Sequence, residues 1–202
     1  MAKRTSTDLF GPSGTPKVVI VGAGGSGMRA SLQLAEAGYK GEPIVLMSPS
    51  DQPALSQLSE VARDMFQSIG LKVDYQVMDF GSVVTRRASQ NPISQGGWGA
   101  FLTVMSPLTS ANPGSMLALR GNGRQGWFGW PTDPRIEELR EAWFDAPDLA
   151  AQKSIAAQVQ AQYFASVPFL ILCRMQQPMA FRTDIQDVVP ASFPVFWGIR
   201  RA

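Results

Sequence analysis

Three successive segments between residues 44 and 77 constrain the fold more than any other feature of this sequence. Residues 44–47 form a continuous apolar run, typical of a strand that is buried on both faces. Residues 53–70 repeat apolar side chains at helical spacing, and residues 71–77 alternate apolar with polar ones. Strands and helices thus alternate along this part of the chain. The chain is therefore predicted to be an α/β protein.

The predicted apolar face of the central helix is continuous from end to end. Gly70 follows it, where a helix end favours a left-handed residue, and residues 48–51 are expected to supply the turn and cap before Pro53. The face consists of Leu55, Leu58, Val61, Ala62, Met65, Phe66 and Ile69.

Further elements are predicted on both sides of this unit. Residues 18–21 form a β-branched run that leads into a glycine turn and a helix ending near residue 38. The stretch 80–131 is rich in glycine, proline and tryptophan, which predicts short elements joined by structured loops. Two helices and a buried strand around residue 170 follow.

Both later helices have a predicted core face, and the first also has a predicted cap. Asp133 is expected to cap a helix that begins at Pro134, and the second helix runs over about 148–165. The inward residues are predicted to be Ile136, Leu139, Trp143 and Phe144 in the first helix, and Leu149, Ile155, Val159 and Tyr163 in the second.

The chain divides into three predicted parts. Residues 1–16 are polar and rich in Gly, Pro, Ser and Thr, so they are expected to be a disordered arm. Residues 17–38 form a strand, a glycine loop and a helix of Rossmann-like character, and residues 39–202 form a C-terminal lobe.

Composition excludes several classes of function. The 202 residues include no histidine, which removes the commonest general base, metal ligand and triad partner. The net charge of +2 comes from scattered basic residues, so no nucleic-acid partner is expected. Glu137 and Glu138 point different ways on a helix and are interpreted as solvated surface. No catalytic residue and no metal site are predicted.

The single cysteine and the first residues support further expectations. Cys173 ends the apolar run 169–173 and is expected to be a small buried residue. No segment has the roughly eighteen apolar residues of a membrane span, and the start lacks the apolar stretch of a secretory signal. As written, the chain is expected to remain cytoplasmic if expressed.

The glycine loop matches a dinucleotide-binding pattern. Gly22, Gly24 and Gly27 follow a strand and open a helix, as the pyrophosphate-binding turn of FAD and NAD enzymes requires. The segment up to Gly38 also resembles the FAD-binding N-terminus of fumarate-reductase-type flavoproteins. The acid that should bind the ribose is missing, because the first acid after residue 47 is Asp51, beyond a proline. No cofactor is therefore predicted, and FAD remains the alternative.

A series of short phrases lies along the chain from about residue 34 onward. They include residues 34–39 (LAEAGY), 69–74 (IGLKVD), 78–87 (MDFGSVVTRR), 96–98 (GGW), 118–123 (ALRGNG), 127–131 (WFGWP), 133–137 (DPRIE) and 194–197 (PVFW). In order and spacing they resemble the extracellular solute-binding family that serves peptide and oligopeptide ABC importers. Since residues 34–39 suit both resemblances, we expect a chimera joined at that stretch.

The resemblance implies a fold and a function. The fold is a periplasmic-binding-protein-like lobe, a mixed sheet flanked by helices, incomplete relative to the two-lobed family fold. The function is that of a substrate-binding component, or a fragment of one, of an ABC importer for peptides or related small solutes. A permease partner, a periplasmic location and the absence of catalysis are implied in the same way. The alternative is an FAD- or NAD-dependent oxidoreductase fragment that uses the loop from Gly22 to Gly27.

The resemblance also implies where the ligand lies. In this family the solute contacts the loop after the strand that follows the Gly-Gly-Trp phrase; here the strand is 100–104 and the loop is 105–113. Ser106, Thr109 and Asn112 are the candidate hydrogen-bonding residues. Peptide-binding relatives often carry an aspartate in this loop for the peptide's amino terminus, and this loop has none. A neutral or weakly charged solute is therefore favoured, because an unpaired ligand ammonium is costly to bury.

Three tryptophans are candidate walls of the same site. Trp98, Trp127 and Trp130 could give flat apolar surface to a solute, or could fill core beneath the loops. Arg120 and Arg124 are interpreted as surface or loop-fixing residues rather than anion ligands.

Overall fold

The computed structural model describes residues 18–22, 39–173, 180–191 and 195–202. The predicted arm 1–16, the helix that follows the glycine loop, and Gly24 and Gly27 lie outside the described residues.

Strands and helices alternate along the described chain, as the sequence predicted. The strands are β1 (Val18–Gly22), β2 (Ile44–Pro49), β3 (Val73–Met78), β4 (Ala100–Leu102), β5 (Phe169–Leu172), β6 (Ile185–Gln186) and β7 (Arg200–Arg201). The α-helices are α1 (Pro53–Ser68), α2 (Phe80–Arg86), α3 (Pro134–Phe144) and α4 (Leu149–Ser166). Short 3₁₀ helices lie at Ile93–Gln95, Leu117–Leu119 and Gly123–Gln125.

The first five strands form one sheet in the order β3-β2-β4-β1-β5. Their pairings are all parallel, and the antiparallel pairing expected of a mixed sheet occurs instead in the separate ribbon of β6 and β7. β1 lies between β4 and β5, so that Val19 is opposite both Phe101 and Phe169. The predicted boundary at residue 38 therefore does not separate two sheets, because β1 is an inner strand of the same sheet.

The sheet is buried on both faces, because successive side chains of a strand point to opposite sides. All six residues of β2 are buried, which explains their uninterrupted apolar run. One face packs on α1. Its buried residues are Ile44, Leu46, Leu55, Ala62, Phe66, Leu71, Ala100, Leu102 and Leu172. The other face is covered by α2, α3, α4 and the loops. Its buried residues are Val45, Met47, Val83, Trp98, Phe101, Ala118, Leu119, Leu139, Val159, Tyr163 and Phe169.

The helix α1 confirms the predicted apolar face, with two corrections. Val61 is 55% exposed, because the buried stripe of the helix runs through Leu55, Ser59, Ala62 and Phe66 instead. Asp51 does not cap the helix. The residue before Pro53 is Gln52, which makes no side-chain cap hydrogen bond, while Oδ1 of Asp51 accepts from the Phe80 amide at 2.8 Å.

Other expectations at the ends of α1 and in β3 have mixed outcomes. Gly70 has φ +90°, as predicted for the residue after the helix. Ser48 and Pro49 belong to β2 rather than to a turn. Val77 was expected to be buried and is exposed, because β3 is the edge strand of the sheet.

Both α3 and α4 begin at a capping aspartate, and the cap at Asp133 confirms the prediction. The carboxylate of Asp133 accepts from the amides of Arg135 and Ile136, each at 3.1 Å, and Asp148 accepts from the amide of Ala151 at 2.8 Å. These bonds satisfy amides that have no partner inside the helix.

The core faces of α3 and α4 are shorter than predicted. Phe144 and Leu149 are exposed, because they lie at the two helix ends that face each other across a short connection. Trp143 and Ile155 are only partly buried. Cys173 is exposed rather than buried, since β5 and its pairing end at Leu172. Within the described ranges, no helix combines the length and apolar content needed to cross a bilayer.

The stability of the lobe should depend on Phe66. Phe66→Ala is expected to lower the free energy of unfolding by about 3–5 kcal/mol, because it leaves a cavity between α1 and the sheet. Val61→Ala, on the exposed side of the same helix, is the matched control and should change it by less than about 0.5 kcal/mol. Urea unfolding followed by circular dichroism measures both. Equal losses for the two variants would contradict the assigned buried face.

Candidate functional site

The candidate site lies at the carboxyl end of β4. This short strand is paired with β2 on one side and β1 on the other, so the chain leaves the middle of the sheet at Leu102. Ligands of open parallel α/β sheets bind outside the carboxyl ends of the strands. The loop 105–113, which the sequence singled out, begins at this edge.

A pocket of about 300 Å³ opens beside that loop. It is lined by Val104, Met105, Ser106, Thr109, Ser115, Leu117 and Trp127. Three of the residues singled out from the sequence, Ser106, Thr109 and Trp127, are thus brought together. The third polar candidate, Asn112, is not part of the lining; its side-chain oxygen accepts from the Ser115 amide at 2.9 Å and so supports the wall from behind.

The hydroxyl groups of the loop are partly engaged in holding the loop itself. Thr109 Oγ1 donates to the Ser106 carbonyl at 3.0 Å, and its amide donates to Ser106 Oγ at 3.3 Å. Ser115 Oγ donates to the Asn112 carbonyl at 3.3 Å. A hydroxyl has one proton and two lone pairs. Ser106 Oγ also lies 3.3 Å from Thr109 Oγ1, so its proton is directed either to that oxygen or to a ligand, and several lone pairs stay available.

The side chains that line the pocket carry no charge. Apolar surface comes from Val104, Met105, Leu117 and Trp127, and each polar lining side chain is a neutral hydroxyl. Among the described lining residues there is therefore neither a carboxylate for a ligand ammonium nor a base for a ligand carboxylate. The pocket matches a neutral group that can both donate and accept a hydrogen bond.

The three candidate tryptophans occupy different positions. Trp98 is fully buried, with its ring 5.1 Å from that of Phe101 and 5.9 Å from that of Trp130. Trp130 is partly buried and packs against the core. Of the three, Trp127 lines the pocket, and its ring lies 6.2 Å from Phe101. The core-filling alternative therefore describes Trp98, whose ring has no surface to offer a ligand in this conformation.

Trp127 is supported from behind by a stack of side chains. The Phe128 ring lies 5.3 Å from Trp127, and the guanidinium of Arg87 lies 4.4 Å from the centre of the Phe128 ring. A cation over an aromatic face is attracted by the ring's negative surface. Burial lowers the pKa of Arg87. The wall that Trp127 forms is thus backed by two further aromatic rings and a stacked cation.

A charged cluster on α3 holds the loop segment that carries Ser115 and Leu117. The side chain of Arg140 is 5% exposed, and it donates to the carbonyls of Pro113 at 3.0 Å and Gly114 at 3.4 Å. One helical turn earlier, Glu137 accepts from the Gly121 amide at 2.7 Å. Both ends of residues 113–121 are therefore attached to the same helix.

Glu137 corrects the sequence interpretation. Its side chain is 22% exposed rather than solvated, because Arg120 Nη2 lies 2.9 Å from one carboxylate oxygen and Arg140 Nη1 lies 3.6 Å from the same atom. Burial by itself would raise the pKa of Glu137, but the hydrogen bonds from Arg120 and Gly121 hold it below its ordinary value. Glu138 is exposed, as expected, and pairs with Arg135 at 2.7 Å.

The two arginines interpreted as loop-fixing residues do fix loops. Arg120 pairs with Glu137, and Arg124 Nε donates to the side chain of Gln90 at 2.8 Å. Gly121, next to Arg120, could not be replaced without displacement, since a Cβ there would lie 2.4 Å from the Asp133 carbonyl oxygen.

The described part of the glycine-loop segment is β1, which ends at Gly22. In a dinucleotide-binding sheet the strand that carries the ribose-binding acid lies next to this strand. Here β4 separates β1 from β2, so the end of β2 is two strand spacings away, on the order of 10 Å. Asp51, the first acid after β2, accepts instead from the Phe80 amide.

Across the described ranges, no group of three or more Cys, Asp or Glu side chains is placed to hold a metal ion.

Sequence reasoning missed part of this site. Val104, Met105, Ser115 and Leu117 carry no motif, and they become a pocket only because residues 113–121 fold back toward the end of β4. The signal available in the sequence was the position of the loop after a buried strand. Nothing in the spacing of Glu137 and Arg140 pointed to Pro113 or Gly121.

No protein-family model matches this sequence. A curated protein does. The probable peptide ABC transporter periplasmic-binding protein y4tO of Sinorhizobium fredii is 31% identical over 197 residues, which are 98% of this chain and 35% of that protein.

Solved structures show the same fold at low identity. The putative peptide binding protein AppA from Clostridium difficile has a TM-score of 0.66 at 14% identity, with 79% of this chain and 32% of that one covered. The structure of NikA from Staphylococcus aureus in complex with Ni(L-His)2 has a TM-score of 0.63 at 13% identity, with 85% and 37% covered. The dipeptide binding protein from a Pseudoalteromonas species, in complex with Met-Leu, has a TM-score of 0.60 at 14% identity, with 85% and 35% covered.

The match to y4tO corrects the expected chimera. Because it takes in 98% of this chain, it continues through residues 34–39 and includes β1, and no second parent is needed for the glycine loop. The oxidoreductase alternative finds no support in these comparisons. The chain spans 35% of the length of y4tO and similar shares of the three structures. The predicted resemblance is thereby confirmed: the chain is a relative of the periplasmic-binding proteins of peptide ABC transporters and has the fold of one lobe of such a protein.

Proposed function

We propose that this chain forms the part of an ABC-importer substrate-binding protein that contacts the solute through the pocket at the end of β4. The observation that carries the proposal is the position of that pocket. Ser106, Thr109 and Trp127 were selected from the sequence as ligand contacts, and they meet at the carboxyl edge of a parallel sheet in a lobe of this fold. That edge is where sheets of this kind bind ligands.

The solute we propose is a neutral or weakly charged small molecule or a short peptide. A pocket of about 300 Å³ is at the small end of ligand sites and accommodates one side chain or one small solute. Apolar walls and hydroxyl groups with unused hydrogen-bonding capacity favour an uncharged group with a flat or aliphatic body. An ammonium or a carboxylate would lose its hydration there without gaining a counter-charge.

Location and partners are proposed from the relatives. The curated relative is named as periplasmic and as part of a peptide ABC transporter. We propose the same location for the complete protein that contains this lobe, with a permease of an ABC importer as its partner. We also propose that the lobe is not an enzyme, since its described pocket lining has no acid, base or nucleophile activated by a base.

The lobe alone is expected to bind its solute weakly. Binding between two lobes buries a ligand on both sides, whereas association costs at least about 4 kcal/mol of lost translational and rotational freedom regardless of the contacts made. Calorimetry should therefore detect no micromolar binding of N-acetyl-Met-Leu amide to the 202-residue chain. The same chain joined to the part of y4tO that lies outside the match should bind this neutral probe at least about tenfold more tightly than the zwitterionic dipeptide Met-Leu.

Two variants of the longer protein locate the site. Trp127→Ala should weaken the binding of the neutral probe at least about tenfold, because it removes the main aromatic wall. Trp197→Ala is the matched control, since Trp197 is exposed and does not line the pocket. Equal effects of the two variants, or micromolar binding by the 202-residue chain alone, would contradict the proposal.

We also propose that the chain binds no dinucleotide cofactor tightly. Support comes from the strand order, which keeps the end of β2 away from the end of β1, and from the engagement of Asp51. Titration of the purified chain with FAD, followed by absorption and fluorescence, should give no affinity better than about 1 µM. Gly24→Leu should leave that result unchanged. Submicromolar FAD binding that is lost in the Gly24→Leu variant would overturn the proposal.

A further inference from the structure

One wall of the pocket is a segment without regular structure over most of its length. Residues 113–121 supply Ser115 and Leu117 to the lining, while Ala118 and Leu119 are buried in the core beside them. The segment contains one short 3₁₀ helix, Leu117–Leu119, and pairs with no strand of the sheet. Its placement therefore depends on contacts at its ends as well as on its two core residues.

Both ends are attached to α3 by charged side chains. Arg140 donates to the carbonyls of Pro113 and Gly114 at the first end, and Glu137 accepts from the amide of Gly121 at the second. Residues three apart lie on the same face of a helix. Side chains from a single face of α3 thus set the distance between the two ends of the segment 113–121.

The chemistry of Arg140 and Glu137 suits the attachment of a backbone segment to a helix. A guanidinium presents several donors in a fixed plane, so Arg140 can reach two successive carbonyl oxygens, which a lysine ammonium cannot do in the same geometry. The carboxylate of Glu137 lies between Arg120 and Arg140, which compensates its charge in a partly buried site. The helix itself is fixed by its Asp133 cap and by Ile136 and Leu139 in the core.

We infer that Glu137 and Arg140 are positioning residues for the pocket: they hold residues 113–121 at the distance from the 105–109 loop that gives the site its shape. This inference takes from the proposed function only that the pocket is the binding site. Trp127 lies in the same lining as Ser115 and Leu117, so displacement of the wall changes the surroundings of its ring.

Hydrogen exchange and fluorine NMR on the ligand-free 202-residue chain test the inference. The variants are Arg140→Met, Arg140→Lys and Glu137→Gln. Arg135→Met is the matched control, because Arg135 is an exposed residue of the same helix whose side chain pairs with Glu138 and Gln158 and not with residues 113–121. The protein is labelled with 5-fluorotryptophan, and the Trp127 resonance is assigned from the Trp127→Phe variant.

The expected result is a local change. Amides in 114–121 should exchange about tenfold faster in Arg140→Met and Glu137→Gln than in the wild type, while amides of β2 and α1 keep their rates. The Trp127 resonance should shift or broaden in both variants, and Arg140→Lys should restore neither property fully. The control should match the wild type in both measurements.

Two outcomes would overturn the inference. Unchanged exchange of 114–121 and an unchanged Trp127 resonance in Arg140→Met would show that the core residues alone place the wall. Faster exchange in every element would assign the cluster to global stability rather than to the pocket. If Arg140→Met fails to fold, Arg140→Lys and Glu137→Gln provide the same comparison. Since no ligand is added, a negative result in these two measurements does not bear on the proposed solute binding. A failure to bind a solute likewise does not bear on the positioning role of Glu137 and Arg140.

Discussion

The burial of β4 between β2 and β1 is the constraint on which the rest of the lobe depends. All three of its residues pair with β1, Ala100 and Phe101 also pair with β2, and all three are buried. Phe101 contacts the rings of Trp98, Trp127 and Phe128, so one side chain of β4 links the sheet to the aromatic loop. The loop 105–113 follows this strand, so the buried strand fixes the place where the loop begins.

Loops form most of the pocket, and different interactions hold each of them. Residues 105–113 are held by hydrogen bonds among their own hydroxyl, carbonyl and amide groups. Residues 113–121 are attached to α3 through Glu137 and Arg140, and Trp127 rests on Phe128 and Arg87. The charged side chains among these supports lie behind the pocket walls and do not line the pocket. The lining is therefore neutral, although Arg87 and Arg140 support it from behind.

Periodicity predicted the elements well and the exposure of individual residues less well. The strand β2 and the helix α1 were placed correctly, since a buried run and a helical stripe are local patterns. Val61, Phe144 and Leu149 were expected inside and are exposed. Their patterns place them near an apolar face, but the width and length of that face are set by the neighbouring element. The exposed Cys173 has the same cause, because the pairing of β5 stops one residue before it.

The sequence by itself determined the α/β class, the cap at Asp133, and the position of a loop after a buried strand. These depend on side chains close together in the chain, where spacing and hydrogen-bonding capacity are sufficient. Only the tertiary structure decided that β1 lies between β4 and β5, that Trp98 lies in the core while Trp127 lines the pocket, and that Glu137 is a half-buried partner of arginines. Strand order and charge pairing join residues distant in sequence, and no local pattern specifies which of the available partners they meet.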